Sequence, residues 1–299
     1  MIRPEHAAQL ANLELIAREI VQGFLVGLHR SPYQGFSVEF SEYRPYQPGD
    51  SLAQIDWRVY ARTDRFYVRR YEEETNLQAY LVIDTSGSMR YPLGGPYHKL
   101  DYALFLGAAL AYLMIQQRDA VGLYLVDEGL RVGLAPRARR TWLRRLFSEM
   151  EPYRGAKPAP ALTLLPQALH TLAERLKRRG LVLLLSDGFV PEEEAFLRAL
   201  ARLRLAGHEV LFLRIWDEAT EKRFELPLEP LHLIDIETQR QVKVHPLELQ
   251  HLYQTHFATW ERRLKTFCQR HRIDWVEVDM QADFFAPLRA YLLKRQRLP

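Results

Sequence analysis

The 299-residue chain holds one cysteine, Cys268, which excludes an internal disulfide and any cysteine-cluster metal site. Its longest apolar run, Ala103 to Ile115, falls short of the ~20 residues that a spanning helix needs. That run therefore reads as a buried helix. The start, Met1 to His6, lacks the charged-then-apolar pattern of a secretory leader. There is no glycine-rich phosphate loop with its lysine, and no His-Glu-x-x-His zinc pattern. No segment is repetitive or of low complexity. These absences lead us to expect a cytoplasmic protein with no membrane span.

What is present suits a globular protein with a full core: 47% of residues are hydrophobic and 26% charged. The net charge is +4. Basic residues cluster at Arg137, Arg139, Arg140, Arg144 and Arg145, again from Arg175 to Arg179, and at the C-terminus. They fall on predicted helices without aromatics interleaved in strands, so solvated helix faces explain them better than nucleic acid does.

Ala8 to His29 carries apolar residues at helical spacing and reads as one helix. From Ser31 to Glu74 aromatics, prolines and glycine-aspartate turns alternate with short strand-like pieces, Phe36 to Phe40 and Phe66 to Tyr71. We read residues 1–75 as an N-terminal helix with a small, partly β module. Residues 76–299 change rhythm to alternating strands and helices. Strands are expected at Leu77 to Ile83, Ala120 to Val126, Leu130 to Leu134, Leu181 to Leu185, Val210 to Ile215 and Ile273 to Val278. Helices are expected at Leu100 to Gln116, Thr141 to Met150, Leu164 to Arg179, Pro191 to Ala206, Pro246 to His271 and Pro287 to Arg295. The pattern predicts an α/β fold, a doubly wound, mostly parallel, Rossmann-like sheet with helices on both faces. A hairpin, Leu231 to Ile236 and Gln241 to Val244 with its turn at Glu237 to Arg240, interrupts it as an insertion at the sheet edge.

In such sheets ligands bind beyond the carboxyl ends of the strands, at the point where strand order reverses. Three polar sets fall there. Asp84, Ser86 and Ser88 follow the first parallel strand directly. Thr163 precedes a helix. Asp187, in Ser186-Asp187-Gly188, follows the buried strand Leu181 to Leu185. All are short oxygen donors, and alternate residues of an extended loop point the same way. Two serine hydroxyls, one threonine hydroxyl and two carboxylates, with waters, suit the octahedral oxygen shell of Mg²⁺. Mn²⁺ and Ca²⁺ fit the same donor type. Helix capping by Asp84, Thr163 and Asp187 is the plainer explanation of each residue taken singly.

The Asp-x-Ser-x-Ser, Thr and Ser-Asp-Gly elements resemble the metal-ion-dependent adhesion site of von Willebrand A domains. Upstream, Gly35, Glu39-Phe40, Arg44-Pro45-Tyr46-Gln47-Pro48-Gly49-Asp50, Ile55-Asp56-Trp57, Ala61-Arg62 and Val68-Arg69-Arg70-Tyr71 with Glu74 are spaced as in domain-of-unknown-function family 58. Its bacterial and archaeal members carry a von Willebrand A-like half. The resemblance covers about residues 30 to 295. One departure is that Ala161-Leu162 precede Thr163, where many von Willebrand A domains have Gly-Gly. The resemblance implies a von Willebrand A-like fold and Asp84, Ser86, Ser88, Thr163 and Asp187 as metal ligands. It also implies a MoxR-type AAA+ ATPase partner, with a role as adaptor in chaperone-like complex assembly, and no established catalysis.

With two carboxylates facing a dication, an open coordination position would accept an aspartate or glutamate from a protein partner. Arg44, Asp50, Asp56, Trp57 and Arg62 form either an ion-pair and turn network or a second docking surface. A divalent-metal-dependent protein-binding module is thus expected, not an enzyme. The alternatives are a metal-dependent phosphatase or hydrolase using the Asp84 loop, and a basic nucleic-acid-binding protein. Gly49-Asp50-Ser51-Leu52 matches a hydrolase nucleophile motif but lacks its Asp-x-x-His. An aspartyl phosphatase needs a second aspartate where Ser86 stands.

Overall fold

The computed structural model describes residues 2–29, 43–45, 60, 67–69, 77–92, 95–156 and 163–298. A short helix α1 (Pro4–Ala8) precedes α2 (Leu13–His29). The helix expected from Ala8 to His29 thus starts at Leu13, and Ala8 instead ends α1. The Asn12 side chain accepts the Leu15 backbone N–H at 3.0 Å and caps a fresh start. Strands β1 (Tyr43–Pro45) and β2 (Tyr67–Arg69) pair antiparallel. The expected strand at Phe36 to Phe40 lies outside the described residues.

The main sheet begins with β3 (Gln78–Asp84), followed by α3 (Lys99–Gln116), β4 (Ala120–Val126), β5 (Leu130–Arg137) and α4 (Arg140–Met150). Then come α5 (Leu165–Arg175), β6 (Leu181–Ser186), α6 (Glu193–Leu205) and β7 (Glu209–Trp216). The chain ends with a hairpin β8 (Leu231–Ile234) and β9 (Gln241–Val244), then α7 (Pro246–Arg270), β10 (Asp274–Asp279) and α8 (Phe285–Arg295).

Six strands lie in the order β10-β7-β6-β3-β4-β5. All neighbours are parallel except β5, which runs antiparallel along the edge of β4. Pro136 sits in that edge strand, which tolerates a missing N–H, so β5 runs three residues beyond the expected Leu134. Strand order reverses between β3 and β6. Successive side chains point to opposite faces. Leu81, Ile83, Leu123, Leu183 and Leu213 pack under α2, α3, α4 and α8. Tyr80, Val82, Val182, Leu184 and Phe212 pack under α5, α6 and α7. The sheet is covered on both faces, which accounts for the unbroken apolar runs of β3, β4 and β6.

At Gly107 α3 comes so close to β3 that a Cβ would sit 2.9 Å from Ile83 Cδ1. Lys99, at the start of α3, reaches Asp187 just beyond the carboxyl end of β6. Helix α5 stops at Arg175, four residues before the expected end at Arg179, and residues 176–180 lead into β6. The hairpin strands form as expected, although β8 ends at Ile234. The side chain of Asp235 turns the chain there, accepting the Glu237 and Thr238 backbone N–H groups at 2.8 and 3.1 Å. The pair is a separate two-stranded sheet. Among the described residues no helix is long and apolar enough to cross a membrane.

Candidate metal centre

Strand β3 ends at Asp84 and β6 at Ser186, neighbours across the reversal of strand order. The two ends are joined directly: Ser186 Oγ donates to Asp84 Oδ2 at 2.6 Å. The other oxygen, Oδ1, accepts the Ser86 backbone N–H at 3.0 Å. That bond folds the loop back so that Ser86 Oγ and Ser88 Oγ lie 3.3 Å apart. Ser86 thus touches both Asp84 and Ser88, in a folded-back loop and not the extended one expected from the sequence. Asp84 is 1% exposed, and among the described residues no ammonium or guanidinium pairs with it. Burial, then the charge of Asp187, raises its pKa to about 7.

Asp187 is reached through the turn Ser186-Asp187-Gly188. Gly188 adopts φ +72°, a left-handed conformation that a side chain disfavours. Asp187 Oδ1 accepts the Phe189 backbone N–H at 3.0 Å. Oδ2 accepts Lys99 Nζ at 2.8 Å, and both side chains are fully buried. The same ammonium donates to Glu221 Oε1 at 2.5 Å. Glu221 comes from a π-helical turn, Glu218–Lys222, after β7. Burial alone would lower the pKa of Lys99, but Asp187 and Glu221 hold it above its ordinary value. A lysine at a helix N-terminus opposes the macrodipole, and these two carboxylates offset that cost.

Thr163 sits 5% exposed just before α5. Its Oγ1 accepts the Leu165 backbone N–H at 3.3 Å, a local turn contact, while the N-cap position of α5 is Leu164 and carries no side-chain cap. Its own N–H donates to Glu237 Oε2 at 3.3 Å, while the Ser88 N–H donates to Glu237 Oε1 at 3.1 Å. One carboxylate from the β8–β9 turn thereby bridges the Ser88 and Thr163 loops. Burial, first of all, raises the pKa of Glu237.

Beneath this layer Arg214 of β7 donates from Nε to the Asp187 carbonyl at 3.0 Å. Among the described residues its two terminal nitrogens lack hydrogen-bond partners, although Nη1 lies 3.8 Å from Glu261 Oε1. The guanidinium is instead enclosed by Trp216 at 4.2 Å, Trp260 at 4.3 Å and Phe257 at 5.2 Å, with Trp275 and Phe189 beyond. Burial pushes its pKa down to about 10.

Lys99, Arg214, Glu221 and Glu237 were not among the expected site residues. A lysine opening an otherwise apolar helix and an arginine inside an apolar strand were signals that could have flagged two of them. Glu221 and Glu237 arrive from distant loops, which nothing local marks. Of the N-terminal set, Arg44 is placed in β1 by its backbone, while Asp50, Asp56, Trp57 and Arg62 lie outside the described residues. Among the described residues no three His, Cys, Asp or Glu side chains converge as a metal cluster. The donors gathered here are mainly hydroxyls with Asp84. Lys99 sits between Asp187 and Glu221, whereas Asp84 has hydroxyl and amide donors alone among the described residues. A hard oxygen donor set is the kind that Mg²⁺ takes.

Comparison with known proteins gives relatives, solved structures and a family. Uncharacterized proteins of Mycobacterium bovis and Mycobacterium tuberculosis are 30% identical over 218 residues, 72% of this chain. The chain spans 66% of the length of those relatives. Among solved structures, the conserved hypothetical protein BatB from Bacteroides thetaiotaomicron is 12% identical, with a TM-score of 0.44 over 73% of this chain and 98% of that one. An aerotolerance-related membrane protein from Bacteroides fragilis is 13% identical, with a TM-score of 0.47 over 74% of this chain and 100% of that one. The family model described as protein of unknown function DUF58 matches residues 42–266, and the chain belongs to that family.

Proposed function

We propose that the carboxyl edge of this sheet is a divalent-cation site of the von Willebrand A type and that the protein uses it to dock a protein partner. The observation that carries the reading is Asp84, a buried carboxylate that accepts only hydroxyl and amide hydrogen bonds among the described residues. A buried carboxylate without a counter-charge is costly. The topology supports the same reading, because Asp84 and Asp187 flank the reversal of strand order where doubly wound sheets hold ligands.

Asp84, Ser86, Ser88 and Thr163 would hold the cation, with Asp187 behind them. Mg²⁺ is the first choice by donor type; Mn²⁺ and Ca²⁺ suit the same oxygens. When bound, the cation supplies a positive centre with an open position for an acidic side chain. The chain's own residues do the rest. Ser186 and the Ser86 amide fix both oxygens of Asp84. Lys99 neutralises Asp187, so that Asp84 is left as the carboxylate free to meet the metal. This is the chemistry of a binding site, and we read the protein as an adaptor, not an enzyme, acting in the cytoplasm.

The partner we propose is a MoxR-type AAA+ ATPase, in chaperone-like complex assembly. Affinity purification of the tagged chain in Mg²⁺ and in chelator tests both parts. The expected result is an AAA+ ATPase retained in Mg²⁺, lost in chelator, and lost from a folded Asp84→Ala variant. Retention of the same partner by that variant would refute the docking role of this loop.

A further inference from the structure

The β8–β9 hairpin does more than decorate the sheet. Glu237, at its tip, places its carboxylate against the backbone N–H groups of Ser88 and Thr163, on two of the loops that form the candidate cation site. The tip is shaped for this. Asp235 accepts the Glu237 and Thr238 N–H groups and the Thr238 hydroxyl, which holds the turn in one conformation. Beside Ser88 and Glu237 lies a cleft of about 600 Å³, walled by Tyr91, Phe189, Tyr253, Phe257 and Trp260 and closed on one side by Ile234 and Ile236 of the hairpin. A carboxylate on two convergent amides, next to an aromatic-walled cleft edged by aliphatic residues, is the arrangement expected of a bound acidic peptide. Here the peptide belongs to the same chain. Among the described residues the hairpin is hydrogen-bonded to no strand of the main sheet, so the tip can leave without breaking a ladder.

We propose that the hairpin tip is a built-in occupant of the docking face, and that the partner binds through an acidic, aliphatic-flanked segment that takes the place of Glu237. The inference rests on the reading of this face as a protein-docking surface. It adds what the partner must present: a carboxylate for the Ser88 and Thr163 amides, and aliphatic side chains for the aromatic wall. The seat itself favours this occupant: the Ser88 and Thr163 backbone N–H groups already hold a carboxylate at 3.1 and 3.3 Å.

The test uses the full chain and a labelled synthetic peptide of residues Leu231–Val244, offered in trans in Mg²⁺. An occupied site weakens apparent affinity by the fraction of time it is free, so an occupancy near 90% costs about tenfold. The expected result is that Glu237→Gln binds the peptide about tenfold more tightly than the wild-type chain, while a peptide carrying Gln in place of Glu237 binds neither. Trypsin cleavage after Arg240, in the same turn, should also run several-fold faster in Glu237→Gln. Equal peptide affinity in the two proteins, or unchanged cleavage, would overturn the inference. The Mg²⁺-induced rise in thermal midpoint, measured on the same samples, separates the two claims. A midpoint rise without the gain in peptide affinity leaves the cation site standing and removes the occupant. A gain without the rise does the reverse.

Discussion

Lys99 Nζ lies 2.8 Å from Asp187 Oδ2, with neither side chain exposed to solvent, and Glu221 completes the network at 2.5 Å. A buried ion pair of this kind adds little net stability when intact, but it cannot lose one member cheaply. Lys99→Met would leave Asp187 and Glu221 facing each other without their cation. The expected loss is about 3–5 kcal/mol, read from urea unfolding. Lys99→Met combined with Asp187→Asn should recover part of that loss, because the stranded charge is removed as well. Equal losses in the single and double variants would show that Lys99 contributes by packing and not through Asp187.

Glu277 gives a pH dependence with a defined sign. Burial pushes its pKa up, but hydrogen bonds from Lys265 and Lys222 and their charges outweigh it and hold the carboxyl at about 2. The folded pKa lies below the unfolded value. The group therefore adds stability above the unfolded carboxylate range and loses it as pH falls toward 2. Glu277 is partly exposed, so salt should shrink the effect. Thermal midpoints of Glu277→Gln and the wild-type chain should differ at pH 6 and converge as pH drops toward 2. Convergence failing to appear would remove the ion-pair account.

Cys268 of α7 is fully buried, and burial raises its thiol pKa to about 12. A neutral, enclosed thiol is a poor nucleophile. Iodoacetamide at neutral pH should leave the native chain unmodified and label it once denaturant exceeds the unfolding midpoint. Rapid labelling of the native chain would mean that α7 opens locally from the sheet.

The fold was legible because the main signals are local. Continuous apolar runs gave β3, β4 and β6, and the helical spacing of Pro246 to His271 gave α7 nearly to the residue. The misread boundaries have physical causes. Asn12 caps a new helix inside an apparently continuous pattern, and Pro136 is tolerated because its strand is at the sheet edge. Asp84, Ser86, Ser88 and Asp187 could be found because they follow strands directly. Glu237 could not, since it reaches Ser88 across 149 residues of sequence and its role depends on where the hairpin folds. In the sequence Lys99 looks like a solvated helix end, whereas in the structure it is fully buried.

The central claim is that Asp84 anchors a divalent cation. In chelator, the burial that raises Asp84 to about 7 makes its ionised form a burden on the fold. Its folded pKa lies above the unfolded one, so stability falls as pH rises through that window. Asp84→Asn should therefore be at least as stable as the wild-type chain without metal at pH 7.5. Mg²⁺ should reverse the order, since a ligand at 100 times its dissociation constant stabilises the folded state by about 2.7 kcal/mol. The decisive measurement is the thermal midpoint of both proteins at pH 7.5, in EDTA and across a Mg²⁺ titration. The account predicts a saturable rise for the wild-type chain and none for Asp84→Asn. A flat titration for the wild-type chain with Mg²⁺, Mn²⁺ and Ca²⁺ alike, or an equal rise in Asp84→Asn, would contradict it.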